Sequence, residues 1–257
     1  MSRFGNLEFD HGADENLVQG VSLKDEAHYF AAAQAHFESG RFEPALRAFA
    51  KVLEFNPKNA AAWTGQIRML IELGEYREAN VWAEKALASF PNEPELLAAS
   101  AVALARLGDL KAAMAFSDAS IEGRGNTPYV WLARGDVLLA RKEKRADYCF
   151  EKALTVAASE WVWPWLASRV QSTYKNFAKA LKLAQQALAR DAARAVIWLQ
   201  LGSCELALGL VSQAQVSLQH ARELDDELEE IHRVLAEAGE VGLAARIGRA
   251  WRRLFQP

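Results

Sequence analysis

The chain returns to the same residues every 34 positions, and few architectures tolerate such a period. Gly40, Gly74 and Gly108 are 34 apart, as are Pro57 and Pro91. Ala45, Ala79 and Ala113 keep the step, and after one deletion Ala146, Ala180 and Ala214 resume it. Leu53, Leu87, Ile121, Leu154 and Leu188 run in parallel, while Trp63, Trp131 and Trp198 mark every second unit. A fixed period of this length means like units stacked side by side. Each unit buries its apolar surface on its neighbours rather than in one central core.

Inside each unit the signals are helical. Tyr29, Ala32, Ala33 and His36 lie three or four apart, the spacing of one helix face, with Ser22 or Asp25 as the N-cap. Gly40 is placed to end that helix in a left-handed conformation. Pro44 stands in the tolerated first turn of the next helix, and Asn56-Pro57 stops it. Ala45, Phe49, Val52 and Leu53 form its inner stripe. The pattern predicts further helices over Trp63 to Leu73, Tyr76 to Phe90, Glu95 to Leu107 and Leu110 to Ile121. A fourth unit starts at Pro128, a fifth near Trp161 with Pro164 in a first turn, and a sixth runs from about Ala195 to Leu228. Their turns are less regular. Arg141 to Arg145 is basic and one residue short, and Lys175-Asn176 replaces the glycine turn.

These patterns divide the chain into an irregular tail (1–22), six helix pairs (23–228) and a terminal piece (229–257). In the tail, Phe4, Leu7 and Phe9 stand among Glu8, Asp10, Asp14 and Glu15. A frayed end is one expectation, and docking of the three apolar residues on this protein or a neighbour is the other. The terminal piece is expected to hold a short helix ending at Gly239, then one from about Glu240 to Phe255 covering the open end of the stack. That last helix gathers Arg246, Arg249, Arg252 and Arg253 beside Ile247, Trp251, Leu254 and Phe255, a second candidate surface for an acidic partner or a membrane surface.

Trp198, Leu201-Gly202, Ala214 and Leu218 together resemble the tetratricopeptide repeat, as do Trp63, Gly74, Tyr76, Ala79 and Pro91. The resemblance covers about residues 24 to 228. It implies an all-α, right-handed superhelical solenoid of antiparallel helix pairs. Small residues such as Ala33, Gly135 and Gly202, facing Ala45, Ala146 and Ala214, are expected to let paired helices approach to about 8 Å. Large residues, Trp63, Trp131, Trp198, Phe49 and Phe150, would fill the gaps. Ile67 and Ser168 depart from the small-residue position.

The resemblance also implies that the first helix of each pair lines a concave face. Matching the register gives a peptide groove of Phe30, Gln34 and Phe37; Thr64, Arg68 and Ile71; Ala98, Val102 and Arg106; Tyr129, Leu132 and Asp136; Trp165 and Arg169; Leu199, Ser203 and Leu206. Such a face is largely apolar, and an exposed apolar face marks a partner site for a helix or an extended peptide. Trp165 is the expected groove anchor, with Trp161 or Trp163 on the convex side. The paired Lys and Asn with which one branch of the family holds chaperone carboxylates are missing. Arg68, Arg106 and Arg169 could hold an acidic group, or pair with Asp136 and Glu72.

Chemistry is not legible. There is no glycine-rich phosphate loop, no Gly-x-Ser-x-Gly elbow and no His-Glu-x-x-His or Cys-x-x-Cys. No metal or cofactor is expected. Cys149 and Cys204 read as buried small hydrophobes, which favours a reducing compartment. A formal net charge of -3 gives no general attraction to nucleic acid. The N-terminus lacks a signal pattern and no span crosses a membrane, so a cytoplasmic location is expected. The function expected is a non-catalytic adaptor, co-chaperone or assembly factor binding a protein segment. The alternatives are a structural or cytoskeletal accessory acting through the convex side or the terminal basic helix, and a secretion or pilus assembly factor.

Overall fold

A computed structural model describes residues 25–123 and 125–241. Twelve α-helices with both ends inside these residues make six antiparallel pairs. They are α1 (Glu26–Glu38), α2 (Phe42–Phe55), α3 (Ala60–Glu72), α4 (Tyr76–Ser89), α5 (Pro94–Leu107), α6 (Leu110–Glu122), α7 (Pro128–Ala140), α8 (Ala146–Val156), α9 (Val162–Thr173), α10 (Phe177–Arg190), α11 (Ala195–Ala207) and α12 (Val211–Leu224). Residues 229–241 are helical as well. There is no strand among the described residues. The helices fall into two compact units, Met1–Val156 with α1 to α8 and Ala157–Pro257 with α9 to α12.

The boundaries follow from local chemistry. Asp25, Asn59 and Asp109 each accept, through the side chain, the backbone N–H three residues on (2.9, 2.9 and 3.0 Å), satisfying a donor that the first turn leaves open. Thr127 does the same for α7, and Pro94 and Pro128 open α5 and α7. Between the two helices of every pair the turn is identical. Its second-last residue lies at positive φ, and the next N–H bonds to a carbonyl five residues back, as in Glu75 to Leu70 (2.9 Å) and Leu210 to Glu205 (2.8 Å). The left-handed positions are Gly40, Gly74, Gly108, Lys142, Lys175 and Gly209. The basic turn at Lys142 therefore keeps full register, and the missing residue falls after it, before Ala146.

Lys142 and Lys175 hold φ values of 58° and 61°, where a Cβ is crowded. Lys142→Gly and Lys175→Gly are each expected to stabilise the fold by about 0.5–1 kcal/mol, read as a higher urea midpoint at constant slope.

Packing within a unit alternates small and large. A Cβ added to Gly135 would lie 2.9 Å from the Phe150 ring, and one on Gly202 would lie 2.6 Å from Leu218 Cγ. The small residues thus meet these large side chains first, rather than Ala146 and Ala214 as expected. In the second pair the sizes are exchanged: Ile67, fully buried, takes the place of Gly135 and Gly202, and Ala83, also buried, takes that of Phe150 and Leu218. Ile67 is thereby accommodated rather than disruptive. The large Phe49 is met instead by Gly65, whose added Cβ would lie 2.5 Å from the ring.

Trp63 and Trp198 donate their indole N–H to the carbonyls of Pro57 and Ala192 (2.9 and 2.8 Å), and Trp131 donates to the Asn126 side chain (2.8 Å). The repeated tryptophan therefore pins the loop that enters its own pair. One expectation needs correction. The helix predicted to end at Gly239 continues through it to residue 241, with Ile231, Val234 and Ala238 buried along one side. The tail (1–24) and the basic residues Arg246, Arg249, Trp251, Arg252 and Arg253 lie outside the described residues.

Candidate interaction surface

In the first unit the odd-numbered helices form one row, since α3 touches α5 and α5 touches α7 as well as their hairpin partners. The residues of this unit expected to line a groove lie on this row, but the row closes on many of them. Thr64, Val102, Tyr129, Leu132 and Asp136 are buried, each at 5% exposure or less. The side chains left partly open are Phe30, Phe37, Arg68, Ile71 and Arg106, and Gln34 is exposed. The broad apolar groove is thus replaced by a narrower edge on α1 and α3, bordered by a polar seam.

Two arginines make that seam. The Arg68 guanidinium lies 5.2 Å from the Phe37 ring centre and 4.2 Å from that of Tyr129, so it bridges α1 and α7 across α5 by cation–π contact. Arg106 of α5 donates through Nε to Asp136 Oδ1 (3.1 Å) and through Nη2 to Oδ2 (2.6 Å). This is a two-pronged pair with side chains only 10% and 3% exposed. Of the two uses foreseen for Arg106, internal pairing is the one realised. Tyr76, which sequence reasoning did not place here, puts its ring 5.9 Å from the Arg106 guanidinium. Burial drives the Tyr129 hydroxyl far above its ordinary titration range, with Arg68 opposing, so it stays protonated.

In the second unit the expected anchor is not a surface residue. Trp165 is 1% exposed and heads the fully buried side chains by volume. Arg169 stands over its ring at 5.5 Å and Trp161 packs against it at 5.7 Å. Trp161 and Trp163 are half-buried, with Arg194 over Trp161 and Trp163 donating to Glu160 (2.9 Å). Leu199 is buried as well, while Ser203 and Leu206 are half-buried and Ser203 donates to the Leu199 carbonyl (2.8 Å).

Below them lies a polar cluster that the sequence announced only through Ser168, polar where Gly135 and Gly202 stand. Ser168 Oγ donates to the Ala180 carbonyl (2.8 Å), and Gln200 Nε2 donates to Ser168 and Ser172 (2.9 Å each). Cys204 sits beside Gln200, and burial pushes its thiol up, which makes it inert rather than nucleophilic.

Glu205 was not foreseen either. It is 8% exposed and accepts the Ser217 hydroxyl (2.7 Å). Burial pushes its carboxyl above the ordinary range, with the Ser217 hydrogen bond opposing. An acid whose folded pKa exceeds its unfolded value binds its proton more tightly when folded. Stability therefore falls as pH rises from the ordinary carboxylate range through the folded value. At neutral pH Glu205 carries a net cost. Glu205→Gln keeps an acceptor for Ser217 and is expected to raise Tm by a few degrees near pH 7, and by less near about pH 4, in parallel melts.

Six identical turns and stacked helix pairs are joined by a sequence match: residues 36–101 fit the family model described as tetratricopeptide repeat. The chain has the fold of a tetratricopeptide-repeat solenoid. Solved structures agree on the fold. A tetratricopeptide repeat protein from Parabacteroides merdae superposes with a TM-score of 0.54 at 16% identity, over 84% of this chain and 85% of that one. TTC0263, from Thermus thermophilus, gives 0.50 at 18% identity over 83% and 98%. The human IFIT1 dimer with m7Gppp-AAAA gives 0.53 at 18% identity, over 91% of this repeat protein and 61% of that chain. Against the APC/C Cut9–Hcn1 hetero-tetramer the repeat protein spans only 43% of the matched chain. No curated protein matches the sequence. Among the described residues of the repeat protein, no group of three or more His, Cys, Asp or Glu could hold a metal ion, and no helix is long and apolar enough to cross a membrane.

Proposed function

We propose that this repeat protein is a non-catalytic interaction module of the cytoplasm, an adaptor, co-chaperone or assembly factor, that receives a protein segment on the α1–α3 edge of its first unit. The observation that carries this reading is the partial exposure of Phe30, Phe37 and Ile71 together with the exposure of Gln34. A solvated helix face is normally polar, and an apolar one left open marks a contact site. The buried part of the row supports the edge rather than touching a partner. The Arg106–Asp136 pair and the Arg68 stack hold α1, α3, α5 and α7 in register, so the edge is presented on a rigid platform.

Affinity purification with quantitative mass spectrometry tests the reading, comparing the wild-type chain with Phe30→Ala/Ile71→Ala. A prey protein enriched by the wild type and lost at least about tenfold with the variant is expected, with circular dichroism unchanged. Equal capture by a folded variant would remove the edge from the proposal. The same comparison with Trp165→Phe should leave capture intact, because that side chain is enclosed.

A further inference from the structure

The turn between α7 and α8 differs from the other five turns within pairs in charge, backbone and length. Residues 141–145 read Arg-Lys-Glu-Lys-Arg, four cations and one carboxylate in a chain whose formal net charge is -3. Lys142 sits at the left-handed position with a φ of 58°, where four of the other turns carry glycine. A strained backbone that glycine would relieve, kept under a charged side chain, calls for a use of that side chain. The second helix also starts late. In the other pairs it opens two residues after the left-handed position, as Tyr76 follows Gly74, whereas α8 opens at Ala146, four residues after Lys142. Residues 143–145 therefore stand in a loop where the other pairs have the first helical turn.

The cations of this loop are open to solvent. Arg141, Lys142, Lys144 and Arg145 are all exposed. Glu143 accepts Arg141 Nε (2.6 Å) on one oxygen and Arg145 Nη2 (2.7 Å) on the other. One carboxylate thus steadies both guanidinium groups and leaves most of their N–H donors for another acceptor. Among the described residues, Lys142 and Lys144 make no ion pair or side-chain hydrogen bond. The surface continues onto α8. Tyr148, Lys152 and Thr155 lie three or four apart on one exposed stripe of that helix. The Tyr148 ring is 56% exposed and stands edge-on to Trp131 at 6.2 Å. Asp147 and Glu151, also exposed, run beside the stripe.

We propose that this loop and the Tyr148–Lys152 stripe bind an extended, acidic segment of a partner protein. Its carboxylates pair with Lys142, Lys144 and the remaining donors of Arg145, and it rests on the Tyr148 ring. From Tyr148 to Lys152 the helix rises about 6 Å, close to the spacing of every second residue in an extended peptide. A strand laid along α8 therefore meets the ring and the ammonium with successive side chains of one face. Charge complementarity selects this partner over a nucleic acid or an anionic membrane. Both of those carry negative charge every few Å and would meet Asp147 and Glu151 as well as the cations, whereas a peptide places carboxylates only opposite the cations. The surface uses no residue of the α1–α3 edge, so it goes beyond the function proposed above and stands without it.

Fluorescence anisotropy is the test, with a labelled peptide that alternates glutamate and glycine over about ten residues, and glutamine for glutamate in the neutral probe. The full chain is expected to bind the acidic probe, more weakly as salt rises, and not the neutral one. Lys142→Gln/Lys144→Gln/Arg145→Gln is expected to lower the affinity about tenfold or more. Lys58→Gln/Lys182→Gln/Arg222→Gln removes as much charge from exposed positions elsewhere and should change it less than about twofold. Lys142→Gly gives a second readout: its urea midpoint rises while its affinity for the probe falls, opposite changes that a purely structural lysine could not produce. Absence of wild-type binding at low salt, equal losses in the two triple variants, or unchanged affinity in Lys142→Gly would overturn the proposal. So would tighter binding of oligothymidylate or of phosphatidylserine vesicles than of the acidic peptide, which would give the loop a different partner. Phe30→Ala/Ile71→Ala is expected to bind the probe as the wild type does, so failure of the loop and failure of the edge are told apart.

Discussion

Replacing Asp136 by alanine is expected to destabilise the first unit by about 3–5 kcal/mol, the usual cost of leaving one member of a buried ion pair alone. The side chains of Arg106 and Asp136 are 10% and 3% exposed, so water cannot take the place of the lost carboxylate. Urea titration at constant slope measures the loss. The companion variant Arg106→Leu/Asp136→Leu removes both charges and is expected to lie within about 1–2 kcal/mol of wild type, because desolvation offsets most of what the pair gains. A single variant as stable as wild type would show that the guanidinium finds water or another carboxylate, and that the seam does not hold the row.

The second large effect belongs to Trp165→Ala, expected to cost about 3–5 kcal/mol by loss of transfer free energy and a residual cavity. The side chain is 1% exposed, with Trp161 at 5.7 Å and the Arg169 guanidinium at 5.5 Å from its ring. Trp161→Ala, at a half-buried position, should cost far less. Thermal melts of the two variants side by side decide the matter. A mild Trp165→Ala paired with a severe Trp161→Ala would mean that the aromatic core of this unit centres on the other ring.

Trp165 also shows where sequence reasoning reaches its limit. Its register matches that of Phe30, Thr64 and Leu132, and register alone assigned all four to an open groove. Phe30 is half-buried, whereas Thr64, Leu132 and Trp165 are enclosed. Trp161, Trp163 and Trp165 were all expected at a surface, Trp165 in the groove and Trp161 or Trp163 on the convex side. Only one proves to be core, because burial depends on which helix lies opposite. The turns behave in the contrary way. The positive-φ positions at Gly40, Gly74, Gly108 and Gly209 could be read from residue identity, and Lys142 and Lys175 could be placed by counting.

The sequence by itself determined the repeat, the turn positions and most helix ends between Asp25 and Leu228, though not that Gly135 and Gly202 face Phe150 and Leu218. Each of these rests on contacts within a few turns of chain, and their spacing is written directly in the residue order. The tertiary structure alone decided which residues of the odd-helix row face water. Arg68 on α3 reaches Tyr129 on α7, and Arg106 on α5 claims Asp136 on α7. Such contacts depend on the distance between elements that the period makes alike but does not place. A 34-residue repeat states what each unit is, and the spacing between units sets how much of the shared face stays open.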